Sequence, residues 1–297
     1  MAEKITISGV DLLLSEPAEI DMEWVGNEEV INELKAAWLL VDEDDLPLNP
    51  RILGKPGVGK TTLAYATGKK LNKPVYIFQC TMDTRPEDLL ISPVISSGNK
   101  IAYVASSLVS AMIKGGVCLL DEGNRMSEKS WASLAPLMDK RRYVDSIIAG
   151  VRIYAHEDFR MCVTMNSDSS TYEIPEYISS RLQPKITVEF PNRADEIKIL
   201  SYNVPFTSDE ILEYCVDFLQ NAHLHEEPYT VREGINIIRY YMKNRVLQKK
   251  DINHLDKKEF KFAILHVLEP IALRYCSDEY EEFAKMDENE EFQDDLF

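Results

Sequence analysis

Residues 53–62 read LGKPGVGKTT, and the part from Gly54 to Thr61 fits the pattern G-x-x-x-x-G-K-[ST]. The glycines of this pattern let the backbone turn tightly, so that consecutive amide groups point inward at phosphate oxygens. A helix that begins at the end of the loop adds the positive end of its dipole. The pattern therefore predicts a phosphate-binding loop made of Gly54, Lys55, Pro56, Gly57, Val58, Gly59, Lys60, Thr61 and Thr62.

Two side chains of this loop have predicted roles in binding a nucleotide. Lys60 is expected to reach the β- and γ-phosphates, and the Thr61 hydroxyl is expected to ligate Mg²⁺. The flanking sequence agrees with a strand–loop–helix unit, because residues 50–53 predict a short strand and residues 63–71 predict a helix with one buried side.

A second motif, VCLLDE at residues 117–122, follows about sixty residues later. Its apolar run predicts a buried strand that ends in Asp121 and Glu122, and ligands of α/β proteins bind at this end of a strand. Asp121 would belong to the Mg²⁺ shell, and Glu122 would orient and polarise the water that attacks the γ-phosphate. Together with the loop, the motif predicts nucleotide hydrolysis as well as binding.

Three more polar residues are candidates for the same site. Asn166 ends an apolar strand predicted over residues 159–166, and its neutral amide could contact both the attacking water and the γ-phosphate. The guanidinium of Arg181 could stabilise the charge of phosphoryl transfer in cis or in trans. Arg232, at the start of a later helix, could report the γ-phosphate to a second domain. The alternatives are an ordinary loop asparagine and two surface arginines in salt bridges.

Strands alternate with helices up to about residue 190, which predicts a parallel α/β topology. The apolar run at residues 75–80 predicts a strand that is buried on both faces. Residues 91–104 and 142–154 predict two β-hairpins, and helices are predicted at 208–222, 231–248 and 257–276. The predicted division is a segment of unassigned role at 1–23, an α/β core at 24–192, a helical domain at 193–277 and an acidic tail at 278–297, with a linker near 191–205.

The composition limits the class of protein. The net charge of −17 disfavours a dominant nucleic-acid surface. About half of that charge lies in residues 278–297, which hold ten acidic residues and one lysine. The scattered cysteines predict buried free thiols in a reducing cytosol. The sequence shows neither a secretory signal nor an apolar run of membrane-spanning length, so we expect a cytoplasmic protein without a membrane contact.

The motifs, in this order, resemble those of the AAA+ ATPases over about residues 24–245. Residues 54–61 resemble the Walker A motif and residues 119–122 the Walker B motif, while Asn166, Arg181 and Arg232 match sensor 1, the arginine finger and sensor 2. The sequences DEGNR at 121–125, HEDFR at 156–160 and TMN at 164–166 are similar to the MoxR group, especially its short CbbQ-, NorQ- and CobS-type members. One departure is Gly123, where the group often carries an apolar residue.

The resemblance implies a P-loop NTPase of the AAA+ type, with a three-layer αβα core around a parallel sheet and a small C-terminal helical lid. It implies ATP and Mg²⁺ as ligands, the residues above as the catalytic and binding set, and a homo-oligomeric ring, expected to be a hexamer. Since the core and the lid use nearly the whole chain, we expect the work to be delivered through a protein partner. By the resemblance, that partner carries a von Willebrand factor A domain, and a partner complex is remodelled or activated in a chaperone-like way.

Two other functions remain open at this stage. The first is a nucleic-acid motor or helicase loader, for which Arg141, Arg142 and Arg152 on or near the second hairpin could supply a local basic surface. The second is a nucleotide-binding scaffold that switches assembly without turnover.

Overall fold

The computed structural model describes residues 3–21, 23–96, 100–166 and 174–277 of the 297-residue chain. The chain divides into two compact units. The first contains most of the chain up to Val188, and the second contains the chain from Glu189 on, grouped with Val25–Asn27 and Pro56–Val58. The acidic tail predicted for residues 278–297 lies outside the described residues.

The first unit is built from short strands and helices that alternate along the chain. Its strands are β1 Lys4–Ile7, β2 Val10–Leu13, β3 Arg51–Gly54, β4 Val75–Gln79, β5 Ile91–Ser96, β6 Lys100–Ala105, β7 Val117–Asp121, β8 Tyr143–Ser146, β9 Val151–Tyr154, β10 Arg160–Asn166 and β11 Lys185–Thr187. Its helices are α1 Glu28–Trp38, α2 Lys60–Lys70, α3 Pro86–Leu89, α4 Ser107–Lys114, α5 Glu128–Leu134 and α6 Glu176–Ser179.

The central sheet has five parallel strands in the order β11-β3-β10-β7-β4. Every residue of β10 and the four apolar residues of β7 are buried, which requires cover on both faces of the sheet. The prediction of an α/β fold around a parallel sheet is therefore confirmed. The pairing register places Asn166 beside Gly54 and Gln79 beside Asp121, so these residues share the carboxyl edge of the sheet.

The prediction that residues 75–80 form a strand buried on both faces is wrong in one respect. Strand β4 is an edge strand, and only its first two residues, Val75 and Tyr76, are fully buried. Ile77 and Phe78 are partly exposed and Gln79 is exposed, and among the described residues no further strand of this sheet pairs with the outer side of β4. The apolar run reports the strand correctly but not its place in the sheet.

Both predicted hairpins are present, as the antiparallel pairs β5–β6 and β8–β9. The N-terminal segment, to which the sequence assigned no role, forms a third hairpin from β1 and β2. Strand β2 pairs in parallel with β6, with Leu12 opposite Tyr103, and the Leu12 side chain is completely buried. The N-terminal hairpin thus extends the inserted hairpin into a four-stranded sheet.

The second unit is helical and has a core of its own. Its helices are α7 Arg193–Asn203, α8 Asp209–Leu224, α9 Val231–Leu247 and α10 Lys257–Val267, followed by the 3-10 turn Pro270–Tyr275. The prediction of a linker near residues 191–205 is wrong, because α7 occupies most of it. Asn192 caps this helix, its side chain accepting a hydrogen bond from the Asp195 amide at 3.0 Å, so the prolines only flank the helix.

Glu196 of α7 is completely buried, and this gives the second unit a pH-dependent stability. Its Oε2 accepts a hydrogen bond from Gln220 at 2.7 Å, while burial raises the pKa of the carboxyl to about 7. The folded protein holds this proton more tightly than the unfolded chain, so the stabilisation is complete below pH 4.5 and is lost as the pH rises through about 7.

A Glu196→Gln variant should remove this dependence. As the pH rises from 4.5 to 8, wild type loses this stabilisation and the variant does not. We therefore expect the free energy of unfolding of the variant minus that of wild type to increase by up to about 3 kcal/mol over this range. Denaturant unfolding at several pH values measures the difference. The control is Glu213→Gln on α8, where the side chain is exposed, and a Glu196→Gln curve that stays parallel to wild type would contradict the expectation.

Two expectations from the composition concern the state of the cysteines and the presence of a membrane-spanning segment. All five cysteines are free and buried, and burial raises the pKa of the Cys80, Cys118 and Cys162 thiols. This confirms the prediction of buried free thiols. Among the described residues, no helix combines the length and the apolar character needed to cross a bilayer.

Candidate nucleotide-hydrolysis site

The phosphate-binding loop lies between the end of β3 at Gly54 and the start of α2 at Lys60. Gly57 and Gly59 have φ values of +87° and +94°, in the left-handed region that side chains disfavour. A Cβ atom on Gly59 would also lie 3.3 Å from the Trp24 ring. The Lys60 ammonium is buried and donates hydrogen bonds to the Gly54 and Lys55 carbonyl oxygens at 2.9 and 2.8 Å. The loop is thus held in a tight turn with its lysine folded across it.

The hydroxyl of Thr61 and the carboxylate of Asp121 meet directly. Thr61 Oγ1 donates to Asp121 Oδ1 at 2.9 Å, and the buried Thr164 Oγ1 donates to the same oxygen at 2.5 Å. The pair predicted to hold the metal therefore presents one hydroxyl and one carboxylate side by side. Hard oxygen donors of this kind suit Mg²⁺, which is bound in nucleotide sites by one or two protein groups and the phosphates.

Glu122 follows Asp121 in a left-handed backbone conformation, with φ 55° and ψ 43°. A residue with a side chain adopts this conformation only when its surroundings hold it there. Here the Glu122 amide donates to Thr164 Oγ1 at 2.9 Å. Thr164 thus fixes both acidic residues, since its hydroxyl contacts Asp121 and Glu122 together.

Both carboxylate oxygens of Glu122 have partners. Oε1 accepts a hydrogen bond from Asn166 Nδ2 at 3.3 Å. Oε2 accepts one from Gln79 Nε2 at 3.2 Å and lies 2.7 Å from Arg125 Nε. The structure thus brings together Glu122 and Asn166, two residues that the sequence placed in one site.

The 3-10 turn Gly123–Arg125 makes a second connection between Glu122 and Asn166. The buried Asn124 donates from Nδ2 to the Asn166 carbonyl oxygen at 3.0 Å. Gly123 packs so closely that a Cβ atom there would lie 2.3 Å from Val163 Cγ1 and 3.3 Å from the Trp131 ring. This contact is the physical reason for glycine at a position where the resembling group often has an apolar residue.

Arg181 lies in the first unit, beside Asp139 rather than in this cluster. Its Nη1 donates to the Tyr177 carbonyl oxygen at 2.5 Å, and its Nε lies 3.7 Å from Asp139 Oδ2. Hydrogen bonds from Arg141 lower the pKa of Asp139 to about 2, so this carboxylate stays charged. Within the described residues, no hydrogen bond or ion pair joins Arg181 to Asp121 or Glu122.

Arg232 lies in the second unit, as the second residue of α9, and its side chain is exposed. Its amide donates to Thr230 Oγ1 at 3.3 Å, and Glu233 completes the capping of this helix by accepting from the Thr230 amide at 2.8 Å. The capped first turn fixes the backbone of Arg232 and leaves its guanidinium at the surface.

Residues 51–182 match the family model described as AAA domain (dynein-related subfamily). This segment of the chain is therefore similar to known AAA domains. The match begins at β3 and ends after Arg181, so it includes the phosphate-binding loop, both acidic residues and Asn166. The AAA family match and the P-loop fold identify the chain as an ATPase.

Known proteins similar to this chain are distant in sequence. An uncharacterized protein of Staphylococcus haemolyticus is 23% identical over 259 residues, covering 82% of this chain and 95% of the relative. The uncharacterized protein YojN of Bacillus subtilis is 22% identical over 242 residues, covering 75% of this chain and 78% of YojN.

Solved structures share the fold of this chain. RuvB of Thermotoga maritima, a Holliday junction branch migration motor, has a TM-score of 0.55 at 15% identity and is matched over 82% of this chain and 70% of its own. NtrX of Brucella abortus in complex with ADP has a TM-score of 0.51 at 17% identity, over 75% of this chain and 51% of its own.

Sequence reasoning missed four residues of the candidate site, namely Gln79, Thr164, Asn124 and Arg125. A signal was available for the first two. Thr164 lies two residues before Asn166 and therefore on the same face of β10, and Gln79 is the polar residue that ends the strand beside β7. Asn124 and Arg125 act through a turn whose path depends on the packing of Gly123, which the sequence does not reveal.

Proposed function

We propose that this AAA chain hydrolyses ATP at the site around Asp121 and Glu122. The observation that carries the proposal is the network in which Thr164 holds both acidic residues, Asp121 meets Thr61, and Glu122 meets Asn166. These residues come from the loop helix and from two neighbouring strands, at the edge of the sheet where α/β proteins bind ligands. Residues from α2, from β7 with the residue that follows it, and from β10 thus support the proposal of nucleotide hydrolysis together.

Each residue has a defined part in the proposed reaction. The loop of residues 54–62 binds the phosphates, with Lys60 on the β- and γ-phosphates. Thr61 and Asp121 would hold Mg²⁺, which neutralises charge on the phosphate oxygens. Glu122 takes up the proton of a water that attacks the γ-phosphorus, and the bond to the β–γ bridging oxygen breaks to give ADP and phosphate. Asn166 orients that water and the γ-phosphate.

The contacts of the two Glu122 carboxylate oxygens suggest how this residue acts. Asn166 holds Oε1, while Arg125 and Gln79 hold the opposite oxygen, Oε2. When Asn166 turns to a bound γ-phosphate, Oε1 becomes free to accept a proton, and Arg125 and Gln79 still fix the carboxylate. Arg125 is therefore a positioning residue in the proposed mechanism.

An Arg125→Gln variant should lower kcat by about tenfold and leave KM for ATP within about twofold, because positioning of Glu122 matters in the transition state. Arg125→Lys should recover part of the loss, since it keeps the charge. The measurement is steady-state phosphate release over a range of ATP concentrations. The control is Lys129→Gln, an exposed change on α5, and an Arg125→Gln enzyme with wild-type kcat would remove this role.

The finer proposal is a MoxR-like ring, expected to be a hexamer, in which Arg181 completes the site of a neighbouring protomer and Arg232 relays loss of the γ-phosphate to the helical unit. Within the described part of one chain, Arg181 contacts Tyr177 and Asp139 and forms no hydrogen bond or ion pair with Glu122. This supports a role for Arg181 in the site of a neighbouring protomer. We propose that the motion remodels or activates a partner complex with a von Willebrand factor A domain protein. A cytoplasmic location is part of the same proposal.

Mixing two inactive variants tests the ring. Arg181→Ala binds ATP without a finger, and Lys60→Ala lacks ATP binding but still carries Arg181. Each alone should be inactive, and a mixture should regain phosphate release because some sites combine an intact loop with an intact finger. A mixture as inactive as its components, with assembly verified by light scattering, would contradict the role of Arg181 in trans.

The contacts of the second hairpin weigh against the nucleic-acid alternative. Arg141 and Arg152 form ion pairs with Asp139 and Asp145, at 2.7 and 2.8 Å. Arg142 donates to the Phe159 carbonyl oxygen at 3.1 Å. These arginines are engaged within the chain, so they form a poor basic surface for phosphates. Stimulation of ATP turnover by DNA that falls steeply with salt would reverse this preference.

A further inference from the structure

Residues 239–261 carry an excess of positive charge in an otherwise strongly acidic chain. The whole protein has a net charge of −17, yet this stretch has eight lysines and arginines against three acidic residues. It covers the second half of α9 and the first half of α10. A basic surface of this kind attracts an acidic ligand.

The two helix segments pack against each other. Arg245 Nη1 pairs with Glu259 Oε2 at 2.6 Å, Lys250 pairs with the other oxygen of Glu259, and the Tyr241 and Phe260 rings are 5.2 Å apart. Of the other lysines in residues 239–261, Lys243, Lys249, Lys257 and Lys258 are exposed, and Lys261 is partly exposed. Ion pairing inside the helix pair therefore uses only part of its positive charge.

Apolar side chains are interleaved with these lysines. On α9, Lys243, Val246 and Leu247 share one face by their spacing, and Val246 and Leu247 are 60% and 81% exposed. On α10, Lys258 and Phe262 share one face, with Phe262 51% exposed. We call this set the basic face, defined as Lys243, Val246, Leu247, Lys249, Lys257, Lys258 and Phe262.

The chain itself contains a segment of complementary composition. Residues 278–297 have ten acidic residues and one lysine, with aromatic side chains at Tyr280, Phe283, Phe292 and Phe297. The 3-10 turn Pro270–Tyr275 precedes it and packs against α8 and α10. Aromatic residues are interspersed among the acidic ones in this segment, as apolar residues are among the lysines of the basic face.

The length of the segment permits the contact. Helix α9 has 17 residues and is about 25 Å long, whereas twenty residues of extended chain reach about 65 Å. Because the segment is tethered to the same unit, its effective concentration at the basic face is on the order of millimolar. We infer that residues 278–297 bind the basic face of the same chain, with carboxylates on its lysines and aromatic rings on Val246, Leu247 and Phe262.

Zero-length carbodiimide crosslinking of the full-length protein, read by mass spectrometry, tests the inference. We expect crosslinks from Asp and Glu of residues 278–297 to Lys243, Lys249, Lys257 or Lys258, and their loss at high salt. The triple variant Lys249→Glu, Lys257→Glu, Lys258→Glu should reduce total tail crosslinking at least fivefold. The control triple variant replaces the exposed Lys129, Lys140 and Lys185 of the first unit with glutamate. This variant should retain the tail crosslinking.

Three results would overturn the inference. The first is tail crosslinking spread equally over the control lysines. The second is crosslinking found only between chains in a mixture of isotopically light and heavy protein, which would assign the tail to another copy. The third is full-length protein that binds duplex DNA through the basic face without tail crosslinks, which would assign the face to nucleic acid.

Discussion

A Glu122→Gln protein is expected to bind Mg²⁺–ATP with wild-type affinity and to release phosphate at least a hundredfold more slowly. General-base catalysis contributes about 10²- to 10⁴-fold, and an amide cannot take up the proton of the attacking water. The substitution keeps the size of the side chain and keeps a group that can face Asn166 and Gln79. Its main chemical change is therefore the loss of the proton acceptor.

Two measurements separate this loss from damage to the site. Single-turnover phosphate release should fall, while the dissociation constant of a fluorescent ATP analogue stays within about twofold of wild type. The control is Glu128→Gln, an exposed carboxylate on α5 that should leave both quantities unchanged. Turnover at the wild-type rate in the Glu122→Gln protein would remove Glu122 from its proposed role, and with it the proposed hydrolysis mechanism.

The residues that the sequence grouped by motif are those whose positions follow from strand topology. Asp121 and Asn166 each end a strand and Glu122 directly follows Asp121, and parallel strands bring their carboxyl ends to one edge of the sheet. Arg181 and Arg232 do not end central strands, and their roles still rest on the family resemblance. The order of the motifs thus predicted that Glu122 and Asn166 lie near Asp121. It did not predict the contacts of arginines that lie outside the central strands.

The supporting contacts depend on local conformation that the sequence encodes only weakly. Glu122 has a positive φ, although its residue type does not favour one, and Thr164 holds it there. Arg125 faces Glu122 because the turn between them is 3-10 and not extended. Likewise, the edge position of β4 and the helix α7 in the expected linker follow from tertiary pairing and capping, which periodicity does not report.

A Gly123→Ala variant should be destabilised by about 1–3 kcal/mol and should lose most of its ATPase activity. The added Cβ atom would lie 2.3 Å from Val163 Cγ1, and Val163 is completely buried in the central strand β10. A branched side chain in a packed strand has little freedom to move away, so the turn must shift instead. That shift would carry Asn124 and Arg125 with it, and these residues contact Asn166 and Glu122.

Val163→Ala supplies the matched partner for a double-mutant cycle. Alone it removes buried methyl groups and destabilises the core, but in combination with Gly123→Ala it removes the atom that the new Cβ atom would meet. We expect the double variant to be more stable than the sum of the single effects by about 0.5–3 kcal/mol and to regain part of the ATPase rate. Strictly additive free energies of unfolding would contradict the contact as the cause. Recovered stability without recovered turnover would show that the turn does not position Glu122.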